Sequence, residues 1–302
     1  MKNLVIIDLG SNSIRMTINQ RQPDGSYREI RRLRNPVRLA DRMGSARLLQ
    51  PDVMNRAIQV LKRFRKVYSS YPDVKAVGIA TAAVRQARNQ QPFLDRVKRV
   101  IGIDVQVLSG SQEAKSDYFG VKDRVRFSRY VIMDVGGGSL EIIAVNGTNY
   151  RLISLPIGAV GISTRFNLSD TVTGADLFRA RNYVSSRLKR IRWLRSFRRV
   201  PLILLGGAHR ALARMAIAGR RVSMDKLAGD SLDYQQISRI YYRLLKLNLA
   251  QRRRVPSLEK HRASVIIGGL LPLITLMNQL GSSRVVFSDS GVRQGLIKQF
   301  AS

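Results

Sequence analysis

The sequence contains no cysteine, which removes disulfides, thiolate metal sites and cysteine nucleophiles together. Histidine is nearly as scarce: His209 and His261 are the only two, too few to build a histidine zinc centre. Aromatic residues make up 7% of the chain, with Trp193 the single tryptophan, so there is no interleaved stacking platform of the kind single-strand nucleic-acid binders use. No apolar run approaches the roughly 20 residues needed to span a bilayer. Leu4–Ile7 runs straight into Asp8, too short and too soon charged for the core of a secretory leader. The expectation is a cytoplasmic protein without a membrane span. Acid is also in short supply, with 20 Asp and Glu against 53 Lys and Arg and a formal charge of +33; 41 of the basic residues are Arg and 12 are Lys. Such a surface attracts polyanions: polyphosphate, nucleic acid without sequence preference, or anionic lipid. An Arg preference spread over solvated faces produces the same total, so the charge names a class of partner and no reaction.

What is present is enough apolar material, 44% of 302 residues, for a full core and two domains. The stretch Val131–Glu141 organises the reading. Val131–Val135 is a short apolar run of strand type carrying one carboxylate, Asp134, and it runs into Gly136-Gly137-Gly138-Ser139. Glycines without Cβ atoms let backbone N–H groups crowd an anion, and an acid one step earlier suits a hydrated cation. The N-terminus repeats the device: Leu4–Ile7, then Asp8, then Gly10-Ser11-Asn12-Ser13. Two such turns are expected to form two walls of one phosphate site.

The rest of the chain reads as strands alternating with helices, hence α/β. Residues 4–8 and 14–19 form a hairpin, and 31–39 is a basic strand or loop. Residues 51–71 place apolar side chains at helical spacing beneath a basic outer face. A strand at 74–80, a helix near 93–101, a strand at 105–108 and a helix at 112–121 with Glu113 in its first turn follow. The strand pattern then restarts at 131–135, 140–145 and 150–155, with Asn146-Gly147 as the second hairpin turn. Helices are expected at 174–194, from 209, at 234–247, at 257–280 and at 292–300, with strands at 201–205 and 284–287.

Six segments in this order resemble the exopolyphosphatase and guanosine pentaphosphate phosphatase (Ppx/GppA) family, within the superfold shared by actin, sugar kinases and chaperone ATPase domains. Asp8-Leu9-Gly10-Ser11-Asn12-Ser13 is similar to the family's first phosphate loop, and Thr81–Arg85 to its T-x-A-x-R. Ser109–Ala114 resembles S-G-x-E-E-A, and Asp134–Glu141 the second loop D-x-G-G-G-S-x-E. Gly206–Arg210 resembles G-G-T-x-R, and Ser290–Gly295 the C-terminal G-x-R-E-G. Three positions depart from the pattern: Gln112 replaces the first acid of E-E-A, Ala208 the threonine of G-G-T, and Gln294 the acid of R-E-G.

The resemblance implies a two-domain actin-like (ribonuclease H-like) α/β fold with an interdomain cleft. The expected domains are 1–124, with a C-terminal helix 292–302 packing back on it, and 125–291. It implies Glu113 as the base that activates water and Arg85 as a guanidinium on a phosphate oxygen. Gly10, Ser11, Asn12, Ser13, Gly136, Gly137, Gly138 and Ser139 are expected to bind phosphate. Asp8, Asp134 and Glu141 are expected to hold Mg²⁺ or another divalent cation, and Gly206 and Gly207 to line the cleft. Each has a plainer explanation beside it: Asp before Gly caps turns, a Glu in a first helical turn answers the dipole, and two glycines make a tight strand-to-helix turn. The expected activity is release of terminal orthophosphate from inorganic polyphosphate. Guanosine pentaphosphate is the alternative substrate, a polyanion- or nucleic-acid-binding protein with little catalysis is the alternative of another class, and a homodimer is expected from the family.

Overall fold

The structure, a computed structural model, describes residues 2–218, 231–288 and 291–301. Ser290 of the last motif lies outside the described residues. The chain divides into two compact units, one of residues 1–113 with 296–302 and one of residues 114–295.

In the first unit β1 (Asn3–Leu9), β2 (Ile14–Arg21), β3 (Tyr27–Asn35), β4 (Val74–Ala80) and β5 (Val105–Val107) form a sheet in the order β3-β2-β1-β4-β5. β1 is antiparallel to β2 and parallel to β4, and β4 is parallel to β5. Between them lie α1 (Pro51–Tyr68), α2 (Ala82–Gln86) and α3 (Gln90–Ile101). Alternation along β1 sends Val5, Ile7 and Leu9 to a core shared with Val53, Ala57, Leu61 and Phe64 of α1 and with Phe93 and Val97 of α3. The basic segment near residue 31 is a strand, and it forms the sheet's edge.

In the second unit β6 (Arg129–Val135), β7 (Leu140–Asn146), β8 (Asn149–Leu155), β9 (Leu202–Leu205), β10 (Ser231–Asp233) and β11 (Arg284–Phe287) form a sheet in the order β10-β11-β9-β6-β7-β8. Read from β8 to β11, the order and directions repeat those of the first sheet: two antiparallel pairings and then two parallel ones. Both faces are covered, as a sheet with parallel strands requires. Val131, Met133 and Val135 of β6 enter the larger core, and Tyr130 and Ile132 enter the smaller one on the opposite face.

The helices of this unit are α5 (Ala159–Arg165), α6 (Gly174–Lys189), α7 (Gly206–Ile217), α8 (Tyr234–Leu245), α9 (Leu249–Arg252) and α10 (Ile266–Leu280), while α4 (Gly110–Val121) and α11 (Val292–Ala301) belong to both units, with residues 110–113 and 296–301 in the first. Between α4 and α11, Gly120 lies so close to the backbone of Gly291, and Gly295 to that of Ser116, that neither position admits a side chain.

Three helical spans differ from the periodicity. The apolar pattern over 257–280 is not one helix: Ser257 takes a left-handed φ of 67°, the chain turns through Lys260–Arg262, and α10 begins only at Ile266. α6 stops at Lys189, and a short 3₁₀ turn at Arg192–Ser196 carries the rest of the expected span. α4 begins at Gly110, two residues earlier than expected, and the short α2 and α5 have too few turns to leave a periodic signal.

Candidate functional site

In the first unit, parallel pairing puts Leu9 opposite Ala80, and Ala80 opposite Val107, so the turns after β1, β4 and β5 leave the sheet at one edge. Strand-end edges of this kind are where α/β sheets place their ligands. Asp8 pairs across the hairpin with Arg15, whose Nη1 lies 3.8 Å from Oδ2. In the following turn the buried hydroxyl of Ser11 accepts the backbone N–H of Ala83 at 3.0 Å, which ties the first glycine turn to the T-x-A-x-R segment. The carbonyls of Ser11 and Asn12 accept the N–H groups of Ala40 and Arg38. Ser13 Oγ accepts from Nε of Arg34 at 3.3 Å and from Nε of Arg15 at 3.4 Å. Two guanidinium groups therefore stand on the rim of the Gly10–Ser13 turn.

The segment after β5 delivers the carboxylate. Ser109 Oγ accepts the N–H of Gln112 at 3.1 Å while Gln112 Oε1 accepts the N–H of Ser109 at 2.7 Å, a reciprocal capping box. Gln112, where the family pattern has an acid, thus retains the capping role and loses only the charge. The box sets the first turn of α4, and that turn carries Glu113, 8% exposed. Arg85 Nη1 donates to Glu113 Oε2 at 3.0 Å and to the Leu108 carbonyl at 2.7 Å. The two residues are 28 positions apart in sequence. Arg85 is expected on a phosphate oxygen; here its Nη1 grips the carboxylate and fixes its direction.

In the second unit, Asp134 and Glu141 stand opposite each other in the β6–β7 pair. Glu141 is 1% exposed, and Ser154 on β8 donates its hydroxyl to Oε1 at 2.7 Å. Asp134 Oδ1 lies against Gly206, which has φ +87° and whose added Cβ would strike the carboxylate. Only glycine meets both demands. The Gly136–Ser139 turn closes with Gly136 N–H on the Ser139 carbonyl at 3.0 Å. The carbonyls of Gly136 and Gly137 accept the N–H groups of Ala159 and Val160, both at 2.9 Å. Gly158 approaches so closely that a Cβ there would collide with the Gly137 carbonyl and the Gly138 nitrogen.

Gly207 packs under the Arg262 guanidinium, whose Nε lies 3.0 Å from Glu259 Oε2. Both glycines of the Gly206–Gly207 pair therefore make room for the protein's own groups, Asp134 and Arg262. Beyond them His209 is fully buried, and its Nδ1–H donates to the Leu205 carbonyl at 2.6 Å. Burial pushes its pKa down to about 4, so the ring is neutral.

Among the described residues no group of three His, Cys, Asp or Glu side chains is gathered closely enough to cage a metal ion. Mg²⁺ does not require one, since it keeps waters and binds through one or two carboxylates plus substrate phosphates. The Asp134–Glu141 pair fits this requirement: like charges directly opposite in a sheet are costly, and a cation relieves the cost. Asp8 has a guanidinium for its cross-strand neighbour, so a cation there competes with Arg15.

Arg15, Arg34 and Ser154 are the contributors that sequence reasoning missed. Arg15 was readable, because a hairpin turning through Gly10–Ser13 sets it opposite Asp8. Arg34 is one arginine among 41 and carried no signal of its own, and Ser154 became visible only with the register of β8.

Two sheets of one topology, each opening on a strand, an acid and a glycine turn, define a two-domain protein of the actin-like class. Residues 18–301 match the sequence model of the Ppx/GppA phosphatase family, and the chain belongs to that family. A crystal structure of a Ppx/GppA family member from Aquifex aeolicus is similar at 28% identity and a TM-score of 0.80, covering 99% of this chain and 97% of the other. An exopolyphosphatase from Cytophaga hutchinsonii shares the fold at a TM-score of 0.93 and 23% identity, covering 99% of this chain and 98% of the other. No helix among the described residues is long and apolar enough to cross a membrane.

Proposed function

We propose that this phosphatase is an exopolyphosphatase, releasing terminal orthophosphate from inorganic polyphosphate by in-line attack of water. The observation that carries the reading is the buried Glu113 carboxylate held at 3.0 Å by Arg85, on the sheet edge that also bears the Gly10–Ser13 turn. Cleaving a phosphoanhydride requires placement, charge neutralisation and an aimed water, with little covalent work by the protein.

Glu113 takes a proton from the attacking water as its oxygen bonds to the terminal phosphorus. The bond from that phosphorus to the bridging oxygen breaks, and the electron pair leaves on the shortened chain. Arg85 holds the base through Nη1 and presents Nε and Nη2 to a phosphate oxygen. Arg15 and Arg34 attract the terminal phosphoryl group to the first turn, and in each turn the glycines free backbone N–H groups for phosphate oxygens. Asp134 and Glu141 would hold the divalent cation, Mg²⁺ by preference, which neutralises phosphate charge when bound.

Gly206 and Gly207 make room for Asp134 and Arg262, so they supply no argument for a nucleotide base. The test is phosphate release with Mg²⁺ from polyphosphate, guanosine pentaphosphate and ATP in parallel. Release from polyphosphate at the highest kcat/KM is expected. Release from guanosine pentaphosphate alone overturns the reading.

A further inference from the structure

On the first unit, the C-terminal ends of α1 and α3 frame an open pocket of about 430 Å³ lined by Lys62, Arg65, Lys66, Ser69, Arg99 and Val100. We infer that this pocket is a second anion site, holding a stretch of polyphosphate remote from the end being cleaved; the inference rests on the function proposed above.

Its place in the fold separates it from the site already described. α1 and α3 lead into the starts of β4 and β5, whereas Arg85, Glu113 and the Gly10–Ser13 turn stand where β1, β4 and β5 end. The seven residues of β4 span about 20 Å between those edges.

Cations at helix C-termini are ordinary, since they answer the dipole, so the excess has to be weighed. Two helix ends supply about half a negative charge each, against four formal positive charges lining the pocket. The carbonyls are also already served: Arg65 Nη1 donates to the Val100 carbonyl and Tyr68 Oη to that of Ile101, both at 2.8 Å. The acids on α1, on α3 and in the loop after α3 are engaged elsewhere, Asp52 with Arg42 and Arg56, Asp95 with Gln91, and Asp104 with Lys98. Among the described residues Lys62, Lys66 and Arg99 make no ion pair or side-chain hydrogen bond.

The lining also selects the ligand. It has no aromatic ring and a single apolar side chain, Val100, so it offers nothing for a base to stack on and little for a lipid tail. Charge without stacking, in a pocket open to solvent, fits a bare linear phosphate chain passing through it.

The test replaces Lys62, Lys66 and Arg99 together by Gln. All three are exposed and none belongs to the catalytic machinery, so wild-type thermal stability is expected. Phosphate release is then measured with tripolyphosphate and with long-chain polyphosphate, and equilibrium binding of the long chain and of a single-stranded oligonucleotide is measured for both proteins. The triple variant is expected to keep its kcat and its kcat/KM on tripolyphosphate. Its KM and Kd for the long chain rise about tenfold, and the slope of log affinity against log salt falls by about 2. A Lys62→Arg, Lys66→Arg, Arg99→Lys variant retains long-chain binding. Unchanged long-chain binding in the Gln variant, an equal loss on tripolyphosphate, or loss of oligonucleotide binding alone each overturns the inference. A wild-type protein that binds the long chain but releases no phosphate would contradict the proposed function, while the binding comparison would still decide on the pocket.

Discussion

The turn after β1 and the turn after β6 occupy equivalent places in two sheets of one topology, yet they are built differently. Opposite Asp8 stands a cation, Arg15, and opposite Asp134 stands a second carboxylate, Glu141. The first turn is braced by side chains: Ser11 is bonded from Ala83, and Ser13 from Arg15 and Arg34. The second is braced by glycine contacts, Gly158 on Gly137 and Gly138, and Gly206 on the Asp134 carboxylate. One backbone plan thus supplies an electropositive rim in one unit and a carboxylate pair in the other. The residue one step across the hairpin decides which.

The glycine-braced turn should be the easier to break. Gly158→Ala forces a Cβ into the Gly137 carbonyl and Gly138 nitrogen, and should destabilise the second unit by about 3 kcal/mol, with phosphate release largely lost. Gly10→Ala places its Cβ 2.9 Å from the Ser13 carbonyl oxygen, and a smaller loss is expected. Denaturant melts of the two variants, with activity measured alongside, check the order; equal losses would show that the two turns are braced alike.

Exchanging the opposing residues sharpens the comparison. Glu141→Ala should weaken Mg²⁺ binding, raising the concentration for half-maximal activity by about 10-fold or more, on the order of what lost metal-site support costs. Arg15→Ala should instead raise KM for polyphosphate by about tenfold, the scale of one lost charge-assisted bond, with the Mg²⁺ requirement unchanged. Magnesium titrations and KM values for both variants separate the roles, and identical profiles would erase the distinction drawn between the turns.

An effect confined to acid pH belongs to the second unit alone. His209 has a folded pKa of about 4 against an ordinary 6.5, so the unfolded chain binds the extra proton first. Its contribution to stability is complete above pH 6.5 and is lost as the pH falls toward 4, by about 3 kcal/mol at the lower end. A His209→Gln variant should flatten the acid limb of the stability profile between those values. A profile unchanged by the substitution would remove His209 as its cause.

The halves of this comparison were not equally legible in the sequence. The β1–β2 hairpin and the β6–β7–β8 meander follow from alternation and glycine turns, and the acids at their ends follow with them. α1 was readable because its basic and apolar faces are cleanly divided. The segment around 257–266 was not, since apolar spacing does not reveal that Ser257 adopts a left-handed backbone or that Arg262 turns inward over Gly207. Nor did local pattern show that Arg85 would meet Glu113: the contact depends on three parallel strands bringing their ends to one edge. The glycines at 158 and 206 look like any turn glycines until their neighbours are known.

The central claim is that Glu113, aimed by Arg85, activates the attacking water. The most direct measurement is the Glu113→Gln variant's rate of phosphate release from polyphosphate, with binding of the chain measured in parallel. The account predicts that release falls by about a thousandfold, the scale of a lost general base, while binding stays near the wild-type value. Release at the wild-type rate would contradict it.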